Sequence, residues 1–350
     1  MSITTEARPE PSAPPRPARR RLPGIGADRS VRSVLLVAAI IPTAALAFLI
    51  YQMVKTAWPA VIFNGVGFFT TKTFTIGNLY ATGTEVHHGY TAAKGASYGI
   101  LPLVFGTVVS SFIAVILAVP VSVGGAILLA ERIPVRLQGV LGTFLELLAG
   151  IPSVVFGLWG IYTFGPLLSR TLYKWIAALH IPWFTGPTGA GEGMLTASLV
   201  LAVMIVPIIA STTRELVRSV PAISKEGALA LGLTSSETVR IVTIPYVRTG
   251  VVAASILGLA RALGETIAVL IISGNFLNAY PHSIFDPFST MASTIAAFLD
   301  SALTDSTGMA VHSLAEVGLV LLAITLVANL AGRMLSRRFS GAGLPVGRGV

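Results

Sequence analysis

Residues 34–54, VLLVAAIIPTAALAFLIYQMV, run for twenty-one positions without an Asp, Glu, Lys or Arg. A helix of about 20 such residues covers the roughly 30 Å hydrocarbon core of a bilayer, whereas a water-soluble helix needs a polar face. Comparable apolar runs recur at 97–130, 137–159, 194–210, 251–273 and 314–330, so the sequence predicts an all-α, polytopic membrane protein with six transmembrane helices. Charged residues make up 11% of the 350 positions, against about 25% in soluble domains. The second run is longer than one perpendicular helix requires, which predicts tilt, a kink or an extension beyond the lipid. The third is expected to bend near Gly150 and Pro152.

The basic residues orient these spans, because Lys and Arg accumulate near helix ends on the cytoplasmic side. Eighteen of the 24 fall in alternate segments: the stretch before the first span, the connections around Arg132 and 211–250, and the stretch after the last span. The intervening connections hold Lys55, Lys72, Lys94, Arg170 and Lys174, and Arg261 lies inside the fifth span. Both termini are thus expected in the cytoplasm, with the protein in the cytoplasmic (inner) membrane. The expected organisation is a disordered Pro/Arg-rich tail over 1–30, a transmembrane domain over 31–338 and a short tail over 339–350. The first apolar run is full-span length after a long tail, so it reads as an uncleaved helix and not as a signal peptide. A net charge of +9 would suit a nucleic-acid binder, but the charge is spread over inward segments and accompanies no nucleic-acid module. The chain has no Cys, which excludes disulfides and thiol chemistry.

The inward connection 211–250 is patterned. A helix-like AISKEGALALGL ends at Gly232, and Ser235 or Ser236 is placed to cap a second short helix. Gly232 permits a turn conformation costly for other residues, and Glu226 can accept charge-assisted hydrogen bonds. A plain surface helix pair with a capping glycine would leave a similar trace. The spacing Glu226-Gly227-Ala228, three residues, Gly232, nine residues, Val242-Thr243-Ile244-Pro245 resembles the EAA loop of bacterial ABC import permeases. That resemblance implies coupling helices docking on a cytoplasmic ATPase, with Glu226, Gly227, Ala228, Gly232 and Pro245 at the matching positions. Gly227 stands where a second Ala is usual, a small-for-small change.

Within the fifth span, Arg261 and Glu265 are costly in hydrocarbon. Four residues apart, they are expected on one helical face, beside Gly264 and Thr266. They read either as a structural ion pair or as the lining of a solute path in which Arg261 offers a planar fork to an oxyanion. The segment RALGET, its apolar continuation and Ser273-Gly274-Asn275 resemble the phosphate permeases of the ABC import family, the PstC type, over 95–338. The resemblance implies a type I, MetI-like permease fold and phosphate translocation involving Arg261, Glu265 and Thr266. It also implies a homologous permease (PstA, which carries a related Arg-x-x-Gly-Glu-Thr), two ATPase subunits (PstB) and an extracytoplasmic phosphate-binding protein (PstS). The distinction from PstA rests on Ala268-Val269 and the SGN ending.

The sequence lacks G-x-x-x-x-G-K-[ST], so the chain is expected to bind no cofactor itself, with ATP and Mg on the partner ATPase and no catalytic residues of its own. A permease for sulfate or molybdate, or a gradient-driven carrier using Glu265 or Glu146, would share much of this pattern. Glu146 and Glu316 are further intramembrane acids, placed to pair with Arg261, to cap a broken helix near Gly150–Ser153, or to be satisfied by a neighbouring span. Glu85 with His87-His88 lacks a spaced third His and reads as surface, with no metal expected. Asp286, Asp300 and Asp305 likewise read as outward surface charges.

Overall fold

The computed structural model describes residues 25–78, 83–277 and 280–340. Most of the expected N-terminal tail, residues 1–24, and residues 341–350 of the expected C-terminal tail lie outside them. The described residues divide into two compact units between Tyr51 and Gln52. Helix α1, Ile25–Asn64, begins inside the stretch expected as tail, and its residues 31–50 are exposed throughout, as suits a helix immersed in an apolar solvent.

The next segment adds short strands to the expected all-helical plan. After α2 (Gly67–Thr70), β1 (Phe74–Thr75) pairs antiparallel with β4 (Ser97–Tyr98), and β2 (Thr84–His87) pairs with β3 (Tyr90–Ala93). His87 faces Tyr90 across a two-residue turn of His88 (φ 50°) and Gly89 (φ 83°), which suits the twist of a hairpin. His88 is therefore turn chemistry. Among the described residues no group of three His, Asp or Glu could hold a metal.

The remaining elements are helices: α3 (Leu101–Ile127, ending in a π turn Leu128–Arg132), α4 (Val135–Ala149), α5 (Ser153–Trp159), and, after a second π turn Gly160–Phe164, α6 (Gly165–Arg170) and α7 (Leu172–Ala178). Then come α8 (Met194–Arg218), α9 (Ala222–Ala230), α10 (Ser235–Thr238), a third π turn Val239–Thr243, α11 (Ile244–Leu263), α12 (Ile267–Ile272), α13 (Met291–Leu303) and α14 (Met309–Ser340). Among the described residues, five helical segments, α1 included, are long and apolar enough to cross a membrane, and six are if α4 with α5–α6 counts as one span. That pair bends by 88° at Gly150-Ile151-Pro152, where Pro152 cannot continue the α4 hydrogen-bond ladder.

The core forms along α3 and α8. Gly106, Ser110, Ala114, Ala118, Ser122 and Ala126 recur every fourth residue and are all buried, so α3 presents a stripe of small side chains. Against it α8 buries Ala197, Val200, Leu201, Met204, Ile205 and Ile209, and Ser122 Oγ donates to the Val206 carbonyl at 3.2 Å. Helices α11 and α12 add Ala254, Ala262, Ala268, Val269 and Ile272 to this core.

The connection 275–313 is more structured than the sequence suggested. It contains α13, opened by a capping box between Thr290 and Ser293 and tied to α3 by Met291 N–H donating to Thr107 Oγ1 at 2.9 Å. Two of the expected surface aspartates are structural. Asp305 is buried and accepts from Ala310 N–H and the Thr307 hydroxyl at 2.9 and 2.8 Å, capping the entry to α14. Asp286 accepts from the His282 and Ser283 N–H groups, both at 2.8 Å. Asp300 remains exposed. Burial, and secondarily the Asp305 charge, push the nearby Tyr98 phenol up.

A Cβ at Gly106 would overlap the Ser289 carbonyl oxygen, whereas one at Gly124, on the same helix, would meet nothing within 4 Å. Gly106→Ala is therefore expected to lower the thermal unfolding midpoint in detergent through overpacking of about 1–3 kcal/mol. Gly124→Ala is expected to leave it unchanged or raise it, because Ala favours a helix interior by about 1 kcal/mol.

Candidate functional site

The connection 211–250 folds as a helix, a turn and a helix. Ser219 ends α8, and Pro221 places the chain for α9. At the end of α9, Leu233 N–H donates to the Ala228 carbonyl at 3.2 Å and Gly232 N–H to the Leu229 carbonyl at 3.0 Å, the paired bonds of a Schellman motif. Gly232 has φ +87°, so its lack of a Cβ is what lets the turn form. The cap of the second helix is Thr234, one residue before the expected Ser235 or Ser236. Its N–H donates to Glu237 at 2.7 Å, and its hydroxyl accepts from the Glu237 N–H at 3.3 Å. The threonine wins because a capping box needs an acid three residues on, and Glu237 stands at that spacing from Thr234 alone.

This knob shows apolar side chains. Ile223 and Leu231 are 79% and 86% exposed, and Glu226, Gly227 and Pro245 are exposed as well. Ala228 points inward and is buried, so of the five expected coupling residues it serves the knob's own packing. Ile223 and Leu231 thus leave large apolar groups uncovered on this chain.

A polar anchor holding the knob was missed by sequence reasoning. Glu131, in the π turn that ends α3, receives Lys225 Nζ of α9 at 2.9 Å and the Thr243 hydroxyl at 2.9 Å. Arg132 donates to Ser236 Oγ at 2.9 Å. Behind them Arg214 and Arg218 of α8 donate to the carbonyl and side-chain oxygens of Gln138 at 2.8 and 2.7 Å, and a Cβ at Gly142 would collide with the Arg214 guanidinium. The only sequence trace of this anchor is an acid beside a base, Glu131-Arg132, at the end of an apolar run.

The fifth span departs from a single helix. It breaks between α11 and α12: Gly264 takes φ −90° and ψ 0°, Glu265 N–H bonds back to the Ala262 carbonyl at 3.3 Å, and Thr266 precedes α12 with its hydroxyl on the Gly264 carbonyl at 3.2 Å. Arg261 and Glu265 thus do not share a continuous helical face, and they form no ion pair with each other. Arg261 is exposed in the last turn of α11, where a cation is favoured by the helix dipole. Glu265 and Thr266 are half-buried in the break. Non-helical backbone at membrane depth is tolerated where it is covered by protein or lines a water-filled cavity.

A second break lies beside the first. Helix α5, which follows the 88° bend, packs on α12: a Cβ at Gly157 would stand 3.1 Å from Ala268 Cα, and one at Gly160 would press on Ile272. The two helices therefore start at similar levels and run in the same direction. Glu146, in the last full turn of α4, is exposed and makes no ion pair among the described residues. Glu316 is elsewhere: 5% exposed in α14, it accepts from Asn64 Nδ2 at 2.7 Å, so neither acid pairs with Arg261. Outside the spans, burial pushes the Tyr173 phenol up to about 12, offset in part by its 2.7 Å hydrogen bond with Thr196.

The chain is similar to known proteins. Residues 122–341 match the family described as "Binding-protein-dependent transport system inner membrane component". The phosphate transport system permease protein PstC 1 of Mycobacterium tuberculosis is 50% identical over 339 residues, covering 95% of this chain and 96% of that protein. PstC of Pasteurella multocida is 41% identical over 247 residues, covering 69% and 76%. Among solved structures, a bacterial ABC transporter involved in import of the acidic polysaccharide alginate aligns with a TM-score of 0.56 and 16% identity, over 89% of this chain and 98% of that one. At that identity the likeness concerns the fold, which is that of ABC importer permeases.

Glu131→Ala would leave Lys225 and Thr243 without their shared acceptor. It is expected to destabilise the knob by about 1–3 kcal/mol, read as faster hydrogen exchange over 222–243 with little change in α3. Glu131→Gln, which keeps an acceptor for Thr243 but loses the charge, is expected to fall between the two.

Proposed function

This chain belongs to the binding-protein-dependent transport system inner membrane components, a multi-pass protein of that membrane, and on that basis we propose that it is the phosphate-translocating permease of an ABC importer. Phosphate arrives from an extracytoplasmic binding protein, and a homologous permease of the PstA type forms the other half of the path. Two copies of a cytoplasmic ATPase, which bind ATP and Mg²⁺, supply the energy. The chain contributes path and coupling surface and hydrolyses nothing itself. Both termini face the cytoplasm in this reading, which the distribution of Lys and Arg supports.

The observation that carries the reading is the placement of Arg261 and the helix break at the far end of α11, whose near end grows out of the knob through α10 and its π turn. A 20-residue helix is about 30 Å long, so a displacement imposed on the knob is delivered as a rigid movement to the break. There Arg261 offers a planar, permanently charged donor set that replaces part of the hydration shell of an oxyanion. Thr266 adds a hydroxyl, and Glu265 adds a half-buried carboxylate within the break. Glu146, beside the neighbouring bend, is a secondary contributor, and Glu316 serves packing through Asn64.

At the other end Ile223, Leu231 and Glu226 form the face that seats on the ATPase, with Gly227 and Pro245 allowing close approach. Ala228 and Gly232 set the shape of that face, and Glu131 joins it to α3, so two spans move when the knob moves.

Arg261→Gln is expected to abolish uptake of labelled phosphate in proteoliposomes, by 100-fold or about 3 kcal/mol, while the complex still assembles; loss of the assembled complex would instead mark Arg261 as structural. Excess sulfate or molybdate should leave wild-type uptake unchanged, and competition by either would reassign the solute. Gly232→Val should detach or uncouple the ATPase, lowering transport per ATP hydrolysed, since a β-branched residue resists a φ of +87°. Phosphate uptake without any nucleotide would refute the coupled account in favour of a gradient-driven carrier.

A further inference from the structure

Where α14 leaves the apolar layer, it borders a cleft of about 410 Å³ shared with α11. One wall is apolar, made by Ala253, Ile256 and Leu257 of α11. The other carries Asn329, Arg333 and Arg337 of α14. Gly332 lets Ile256 come against the α14 backbone, which fixes the two walls together. Arg333 and Arg337 are four apart, so both guanidinium groups rise from one face of the helix.

These two cations have no carboxylate to answer them among the described residues. Helix α11 contains no Asp or Glu, and the one acid of α14, Glu316, is seventeen residues back, roughly 25 Å along the axis, and bonded to Asn64. Two unpaired arginines against an apolar wall at a membrane boundary call for a counter-ion from outside the chain, with an apolar part of its own.

We propose that this cleft binds an anionic phospholipid, its phosphodiester between Arg333 and Arg337 and one acyl chain along Ala253, Ile256 and Leu257. A guanidinium fork matches phosphate oxygens in two-point geometry, and two of them suit a phosphodiester better than a zwitterionic headgroup whose ammonium they repel. Free inorganic phosphate would fill only the polar half and gain nothing from the α11 wall. The inference concerns the lipid around the chain and is independent of which solute the permease carries.

The test is native mass spectrometry of the delipidated importer complex, titrated with phosphatidylglycerol and, separately, phosphatidylcholine. Wild type should hold phosphatidylglycerol more tightly than phosphatidylcholine, and the double variant Arg333→Gln/Arg337→Gln should lose about tenfold in that affinity, the equivalent of one charge-assisted contact. Ala253→Phe, which fills the apolar wall and leaves both arginines in place, should weaken phosphatidylglycerol as well and guards against a double variant that fails to assemble. Equal binding of the two lipids by wild type, or undiminished phosphatidylglycerol binding in an assembled double variant or in Ala253→Phe, would overturn the proposal. So would displacement of the lipid by millimolar inorganic phosphate, which would make the cleft a free-anion site.

Discussion

The rest of the structure depends on how closely α3 can approach α8. In lipid no hydrophobic force draws two apolar helices together, so association rests on dispersion contact between surfaces that fit and on hydrogen bonds across the seam. The α3 stripe from Gly106 to Ala126 supplies the fit, and Ser122 supplies a bond to the α8 backbone. With α3 seated, α8 is enclosed, and its other faces become the platform on which α4, α11 and α12 are placed. The polar anchor around Glu131 and the helix break at Gly264 both sit on elements positioned by that seam.

Rigidity and weakness are distributed unevenly along this platform. The knob over 222–243 is stiffened by a Schellman turn, a capping box and a charge-assisted anchor, none of which a merely connecting loop would need. The far end of α11 is the reverse: helical hydrogen bonding stops at Leu263 and resumes at Ile267. The stiff knob and the broken helix end are joined by one uninterrupted helix. The ionisable residues follow the same division, since Glu131 and Glu316 are bonded into the structure while Arg261 and Glu146 remain exposed and without a counter-ion among the described residues.

Part of the site could be read before folding was considered. Gly232 announced a turn because only glycine takes its φ cheaply, and the intramembrane charges at 261 and 265 were conspicuous because hydrocarbon penalises them. Their geometry departs from the sequence expectation for a physical reason: a four-residue spacing places two side chains together only if the helix continues, and past Gly264 it gives way to α12, which packs on α5. Asp305 reads as a surface charge in the sequence because a cap is recognised by the backbone N–H groups it meets, and those belong to the turn at Thr307–Ala310. The α3 stripe stood in the sequence at every fourth position, but small residues are also what a featureless apolar helix contains, so its significance appears only against α8.

What the sequence by itself determined is what local physics enforces: apolar runs long enough to cross a bilayer, the uneven distribution of Lys and Arg between their connections, and the helix–glycine–helix form of the knob. Each follows from transfer free energy, surface charge or φ preference within a few neighbouring residues. The tertiary structure alone decided which polar groups meet, because those partners are remote in the chain: Thr243 lies 112 residues from Glu131 and Glu316 lies 252 from Asn64. It also decided where the fifth span breaks. A backbone ladder is given up inside a membrane only when another element covers or solvates the groups it frees, and that element is visible only in the folded chain.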